Sequence, residues 1–347
     1  MKKILIKGPA KRDELILAFP FFHALRTEFV DAEINLIVND DLPDLCKFLN
    51  TKLNVKSYSF PLKKNSLWGI HHYSYNLLDV FNIDLFFDLE DSFKSAFMGI
   101  TFRARERIGM VNGANRLWLT KKIKKAQGLK RIYDEYYLHL LEDYTGKKFD
   151  NLKICDIEIP PDPVLFPDES TPSSGNEASS VPATPIAFDE KQHFLISINE
   201  SKNLPLWKSF FDCFISQKFI IVDNRSDTEK QNLLDIFKSS ADNSEGKNSF
   251  KIITTTGPEL LRVLIEESLS VITDEFWVAN LASYLGKKAF VFINQNEQIP
   301  FIKYFRLSPV LVKLAQEVPV RVTTDLETKQ ISNIGEVVDF IHSELKI

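Results

Sequence analysis

Four stretches of this sequence combine residue types and spacings that could do chemistry. The first follows the short apolar run Lys3–Lys7, where the turn Gly8-Pro9-Ala10-Lys11-Arg12 leads into Asp13 and Glu14. Apolar residues then fall at Leu15, Ala18, Phe19, Phe22 and Leu25, the one-sided spacing of an amphipathic helix. A carboxylate at a helix start, at the carboxyl end of a strand, points into a cleft and can take a proton from an attacking hydroxyl. The pair also reads as plain helix-start chemistry, with Asp13 as N-cap and Glu14 complementing the helix dipole. The second stretch is Ser197-Ile198-Asn199-Glu200-Ser201-Lys202. Its lysine can offset the charge of a diphosphate while Ser197, Asn199 and Ser201 donate hydrogen bonds; the bland alternative is a solvated loop.

The third stretch runs from Thr273 to Ala282 and holds Glu275, Phe276, Trp277 and Asn280. A strand end turning into a helix there presents free N–H groups that can hold an anion. Trp277 can pack on a base or a sugar, or simply belong to the core. The fourth stretch spans residues 103–131, with ten basic residues, among them Arg105, Arg107, Lys121 and Lys122, against the single acid Glu106. So one-sided a charge suits a phosphorylated glycolipid or a membrane headgroup layer; a solvated face is the competing reading. No G-x-G-x-x-G, P-loop, H-E-x-x-H or G-x-S-x-G motif occurs, so those nucleotide, metal and nucleophile chemistries have no support.

These residues need a frame that brings them together. Short apolar strands are expected at 3–7, 33–38, 84–89 and 107–110, with helices following them near 42–49, 92–102 and 133–144. Near-continuous apolar strands alternating with helices indicate a parallel sheet covered on both faces. Residues 160–185 break the pattern: they hold seven of the sixteen prolines and little apolar surface, the composition of a linker. Beyond it the alternation resumes, with strands expected at 193–198, 218–222, 250–253, 270–272 and 288–293 and helices near 206–214, 228–239, 258–267, 277–285 and 335–345. The expectation is an amino-terminal domain over 1–159, a linker over 160–190 and a carboxy-terminal domain over 191–347, both domains doubly wound and Rossmann-like. Ligands of open parallel sheets bind at the carboxyl ends of the strands, so a cleft between two such domains is the expected site.

Composition narrows the partners. With 43 basic and 47 acidic side chains the net charge is −4, which gives no global attraction for nucleic acid. The three cysteines, Cys46, Cys155 and Cys213, are too few and too scattered for a disulfide framework or a zinc site. The opening apolar run is too short for a signal-peptide core, and no apolar stretch reaches the roughly 18 residues of a membrane span. A cytoplasmic protein is expected, one able to work at the inner membrane face. The 28 phenylalanines are expected to fill core positions.

With these residues in view, the sequence resembles glycosyltransferase family nine, the ADP-heptose:lipopolysaccharide heptosyltransferases. Ile4 to Leu25, with Pro20 and Ala24-Leu25, is similar to that family's opening strand, polar loop and helix. Ile83 to Leu89 is similar to its hDLhhDL strand, and Arg107-Ile108-Gly109 to its RIG segment. Lys202-Asn203-Leu204-Pro205 resembles its K-x-W-P motif, and Leu281-Ala282 through Leu285-Gly286 into Ala289–Phe292 its last helix and strand. The resemblance implies a GT-B fold, two Rossmann-like domains facing across a cleft. It also implies inverting, metal-independent transfer of a heptose or related sugar from an ADP-heptose-like donor to a lipopolysaccharide core or other glycan, with no cofactor. It carries the catalytic base onto Glu14, with Asp13 in place of a glycine, and the diphosphate-stabilising lysine onto Lys202. Glu14 is one methylene longer than the family's Asp, and misplacement of about 1 Å can cost on the order of 10²-fold in rate. The family's D-[ST]-G-x-x-H-x-A loop reads here Glu275-Phe276-Trp277-Val278-Ala279-Asn280-Leu281-Ala282, so hydroxyl, glycine and histidine are all replaced. That departure keeps a second reading open, a non-catalytic GT-B protein that binds a glycan or a partner enzyme.

Overall fold

A computed structural model describes residues 1–40, 42, 45–47, 49, 53–61, 63, 66–77, 80–150, 152, 193–197, 207, 210–214, 217–222, 249–253, 258–294, 303–305, 307–314, 320–323, 328–331 and 334–345. The expected linker over 160–190, the helix near 228–239 and the candidates Asn199, Ser201 and Lys202 lie outside the described residues.

The first half opens with strand β1 (Lys3–Lys7), helices α1 (Arg12–Leu17) and α2 (Phe19–Glu28) and strands β2 (Glu33–Asn39) and β3 (Val55–Phe60). Helix α3 (Leu67–Asn76), strand β4 (Leu85–Asp88), helix α4 (Phe93–Thr101), strands β5 (Glu106–Met110) and β6 (Lys121–Ile123) and helix α5 (Asp134–Thr145) follow. All six strands run parallel in the order β3-β2-β1-β4-β5-β6. The second half holds β7 (His193–Ser197), β8 (Lys218–Val222), β9 (Ser249–Ile253), α6 (Pro258–Glu267), β10 (Ser270–Thr273), α7 (Phe276–Tyr284) and β11 (Ala289–Asn294). It closes with β12 (Val310–Leu314), β13 (Val320–Thr323), β14 (Thr328–Ile331) and α8 (Ile334–Leu345). Its sheet order is β14-β13-β12-β11-β10-β7-β8-β9; β7 to β12 are parallel and β13 and β14 antiparallel.

Both sheets thus contain the doubly wound order 3-2-1-4-5-6. In each, the chain reverses its direction of travel beside the first strand, between β1 and β4 and between β7 and β10. Such reversal points open a crevice at the carboxyl ends of the strands. Lys7 pairs with Asp88 at one, and Ser197 with Thr273 at the other.

Local chemistry accounts for most element ends. Ser92 caps α4 with a reciprocal box: its Oγ accepts from Ser95 N and Ser95 Oγ from Ser92 N, both at 3.0 Å. Gly146 ends α5 at φ 71°, the left-handed conformation that a residue without Cβ takes at least cost. The single helix expected after Asp13 is two, broken at Ala18, because Pro20 has no N–H with which to continue the ladder. Asp13 is not the N-cap: Lys11 holds that position without a side-chain bond, and Asp13 lies in the first turn as the second residue of the helix.

The phenylalanines do fill the core. Phe194, Phe210, Phe211, Phe214, Phe219 and Phe292 surround the buried Trp207 in one aromatic cluster. A second apolar cluster runs through both halves without a break, joining α1, α2 and α5 to α7. Helix α1 packs on α7, Phe19 meets Tyr284 edge-on at 4.9 Å, and His23 Nε2 shares a 2.8 Å hydrogen bond with the Tyr284 hydroxyl. Asp134 adds a polar tie, accepting from the N–H groups of Lys303 and Tyr304 at 2.9 Å each. Burial pushes its carboxyl up to about 6 against those donors.

Candidate functional site

At the β1/β4 reversal a group of acids collects around two cations. Lys7, 2% exposed, reaches Glu90 at 2.7 Å and the Gly8 carbonyl at 3.0 Å. Asp88 is fully buried at the end of β4, and its Oδ1 accepts from the N–H groups of Glu90 and Asp91 at 3.1 Å each. Burial first, and then the Asp91 charge, push the Asp88 carboxyl well above the ordinary carboxylate range. Burial raises Asp91 too, against the Tyr136 hydroxyl that donates to it at 2.5 Å. Gly109 lies beside Asp88 in the sheet because a Cβ there would meet Leu119 at 3.0 Å and the Asp88 Cβ at 3.2 Å.

Glu14 stands over this group. Its carboxylate meets the Arg131 guanidinium at 2.9 Å, and its side chain is 15% exposed. Arg131 is itself fixed, donating to the carbonyls of Glu90 at 2.8 Å and Leu89 at 3.2 Å. Glu14 is therefore a carboxylate held in one place at the carboxyl edge of the first sheet, with some access to solvent. Those are the geometric needs of a general base.

At the β7/β10 reversal, Ser197 Oγ donates to Glu275 at 2.7 Å, the Trp277 indole N–H donates to the other Glu275 oxygen at 2.9 Å, and Glu275 N donates to Thr273 Oγ1 at 2.9 Å. Asn280 is fully buried on α7, its amide without a hydrogen-bond partner. The two reversal points face each other. Arg12 lies over the Trp277 ring at 5.5 Å, and α1, which carries Asp13 and Glu14, packs on α7. Burial raises the Asp13 pKa, and the Glu275 and Glu14 charges raise it further; Lys11 and the Trp277 N–H pull the other way.

The expected residues thus divide. Asp13, Glu14, Ser197, Glu275 and Trp277 come together; Phe276 is half-buried at the start of α7 and packs against the apolar cluster that spans both halves. The basic stretch also divides. Arg107 is bound to the carbonyls of Trp118 at 2.6 Å and Ala104 at 2.8 Å and so braces its own turn. Arg105 is 80% exposed and 3.4 Å from Asp84, and Lys121 and Lys122 are exposed on the edge strand β6. Arg12, Asp88, Glu90, Asp91 and the Glu14–Arg131 pairing were not anticipated. Three acids within Asp88-Leu89-Glu90-Asp91, directly after an apolar strand, were the available signal. Among the described residues no group of His, Cys, Asp and Glu is placed to hold a metal ion.

No family model matches the sequence, and neither does any curated protein. Solved structures do match. A glycosyl transferase family 9 protein from Veillonella parvula superposes with a TM-score of 0.67 over 99% of this chain and 97% of that one, at 11% identity. The E. coli heptosyltransferase WaaC, solved with ADP, gives 0.63 over 99% and 97% at 10% identity. E. coli ADP-heptose lps heptosyltransferase II gives 0.59 over 91% of each chain at 14% identity. The fold is GT-B. At such identities the likeness is one of architecture.

Proposed function

We propose that this chain is a glycosyltransferase that moves a heptose or related sugar, with inversion and without a metal, from a nucleotide-diphosphate donor to a hydroxyl of a glycolipid. The observation that carries the reading is the Glu14 carboxylate, fixed by Arg131 at the first reversal point on a helix, α1, that packs against α7. Glu14 takes the proton of the acceptor hydroxyl as that oxygen attacks the anomeric carbon. Lys202, Ser197 and the α7 amino terminus offset the charge of the departing diphosphate. WaaC, solved with ADP, supports a nucleotide donor. The test is sugar transfer from a panel of nucleotide-sugars to lipopolysaccharide core acceptors, with isothermal titration alongside; neither binding nor turnover of any donor would sink the reading. A specific observation favours the second reading, a non-catalytic GT-B protein: Trp277 and Glu275 are already engaged with each other and with the first half. Turnover abolished by Glu14→Gln eliminates it.

The glycolipid side of the proposal rests on a surface. No helix among the described residues is long and apolar enough to cross a membrane. Helix α3, however, carries an exposed ladder of rings, with Trp68 83% and Tyr75 65% exposed and His71 between them at 6.1 and 6.2 Å. Helix α3 packs on α4, and α4 on the short 3-10 helix Gly113–Leu117, which leads to the exposed Lys121, Lys122, Lys124 and Lys125. Trp and Tyr suit the headgroup level of a bilayer, and each nearby lysine contributes about 1 kcal/mol toward an anionic surface. The protein is expected to sediment with phosphatidylglycerol vesicles and not with phosphatidylcholine vesicles. Trp68→Ser and Lys121→Glu should each weaken that binding about fivefold. No sedimentation at low salt would refute the membrane contact.

A further inference from the structure

Glu14 sits on an element that does little by itself to fix it. Helix α1 has six residues, its N-cap Lys11 makes no side-chain bond to the first turn, and its buried residues, Leu15, Ile16 and Leu17, all come after Glu14. A helix so short has little stability of its own, and an unanchored glutamate on its first turn is free to change rotamer.

What holds Glu14 comes from the neighbouring strands. Arg131, in the segment between β6 and α5, spans three oxygens: the Glu14 carboxylate at 2.9 Å, the Glu90 carbonyl at 2.8 Å and the Leu89 carbonyl at 3.2 Å. Two of the three are main-chain atoms of the turn after β4, and that turn is itself tied down. The Glu90 N–H donates to Asp88 at 3.1 Å, and the Glu90 side chain accepts from Ser92 Oγ at 3.2 Å and pairs with the Lys7 ammonium at 2.7 Å. Lys7 is buried at the end of β1, the strand that leads to Glu14. The ties therefore run from β1 to the turn after β4, on to Arg131 and back to Glu14. A guanidinium suits such a bridge because its N–H groups form one rigid planar fork; a lysine ammonium is a point charge without that fork.

We infer that Arg131 is a positioning residue for the proton transfer: it locks the Glu14 carboxylate to the turn after β4, and it acts on sugar transfer only through Glu14. The inference rests on the transferase reading above.

The test compares sugar transfer by wild type, Arg131→Ala, Arg131→Lys, Glu14→Gln and the Arg131→Ala/Glu14→Gln double variant, with ADP titrated against each. Arg131→Ala is expected to lower kcat about 10²-fold, the cost of a misplacement of about 1 Å, with donor KM and ADP affinity unchanged. Arg131→Lys keeps the charge and loses the fork, so its kcat should stay about tenfold below wild type. The Arg131 side chain is 30% exposed, which lets a free guanidinium ion reach its place. Low millimolar guanidinium should raise turnover by Arg131→Ala about tenfold, where the same concentration of ammonium does not. In the Glu14→Gln background, Arg131→Ala should cost nothing further, because two residues that act as one unit are not additive. Turnover near wild type in Arg131→Ala overturns the inference. So does a full additional loss in the double variant, which would give Arg131 a contact of its own with the substrate. Loss of ADP affinity in step with kcat, or turnover that guanidinium fails to raise, overturns it as well by making Arg131 part of the cleft wall or of the fold. Any of these results beside an active wild type removes the positioning role alone, whereas a wild type without turnover removes the transferase reading and the positioning role with it.

Discussion

Sugar transfer by the Glu14→Gln protein is expected to fall by about 10²- to 10⁴-fold, the range over which a positioned general base contributes. Glutamine keeps the length of the side chain and an oxygen that can still face Arg131, so the packing around α1 is preserved while the proton acceptor is lost. ADP affinity, measured on the same preparation, should stay near the wild-type value, because Glu14 stands at the first reversal point and the α7 amino terminus at the other. That split between turnover and binding identifies a base. Turnover near wild type in Glu14→Gln would remove Glu14 from the chemistry, and a parallel loss of ADP binding would recast it as a residue that shapes the cleft.

The second large effect concerns stability. Lys7→Met should cost about 3–5 kcal/mol in urea unfolding, the range for removing one partner of a buried ion pair. The Lys7 side chain is 3% exposed, and its partner Glu90 is 20% exposed. The ammonium also faces Asn39 Oδ1 at 3.3 Å. Without it, Glu90 remains among Asp88 and Asp91 with one cation fewer to offset the three. The double variant Lys7→Met/Glu90→Gln should recover a good part of the loss, since replacing both charges leaves no unpaired ion. A double variant no more stable than the single one would show that Lys7 acts through packing and not through its charge.

Some of this was legible in the order of residues. Strands buried on both faces read as apolar runs, so Lys3–Lys7, Lys218–Val222 and Leu85–Asp88 were recognisable, as were α4 and α6 from local spacing and capping. The alternation of these elements implied two doubly wound sheets, and both sheets have that order. Helix α3 and strands β3, β6, β12, β13 and β14 were missed. In β3, Val55–Phe60, half-exposed polar residues interrupt the apolar pattern, and α3 presents aromatic rings to solvent where a one-sided apolar face is the usual signal.

Determined by sequence alone, then, were the alternation of elements, the composition of the segment between the halves, and the placing of Asp13, Glu14, Ser197 and Glu275 at strand ends. Those follow from forces that act between residues close along the chain: periodic burial, capping and the fixed φ of proline. Which of these groups meet was decided only by the tertiary structure. Glu14 and Arg131 are 117 positions apart, and Arg12 and Trp277 lie on helices from different halves of the chain. Ion pairing and hydrogen bonding depend on distance in space, and the distance between two strand ends is set by sheet order and by the packing of α1 on α7. Neither leaves a mark on the residues themselves, and so Glu14, which read as a residue complementing its own helix, is held by an arginine from far along the chain.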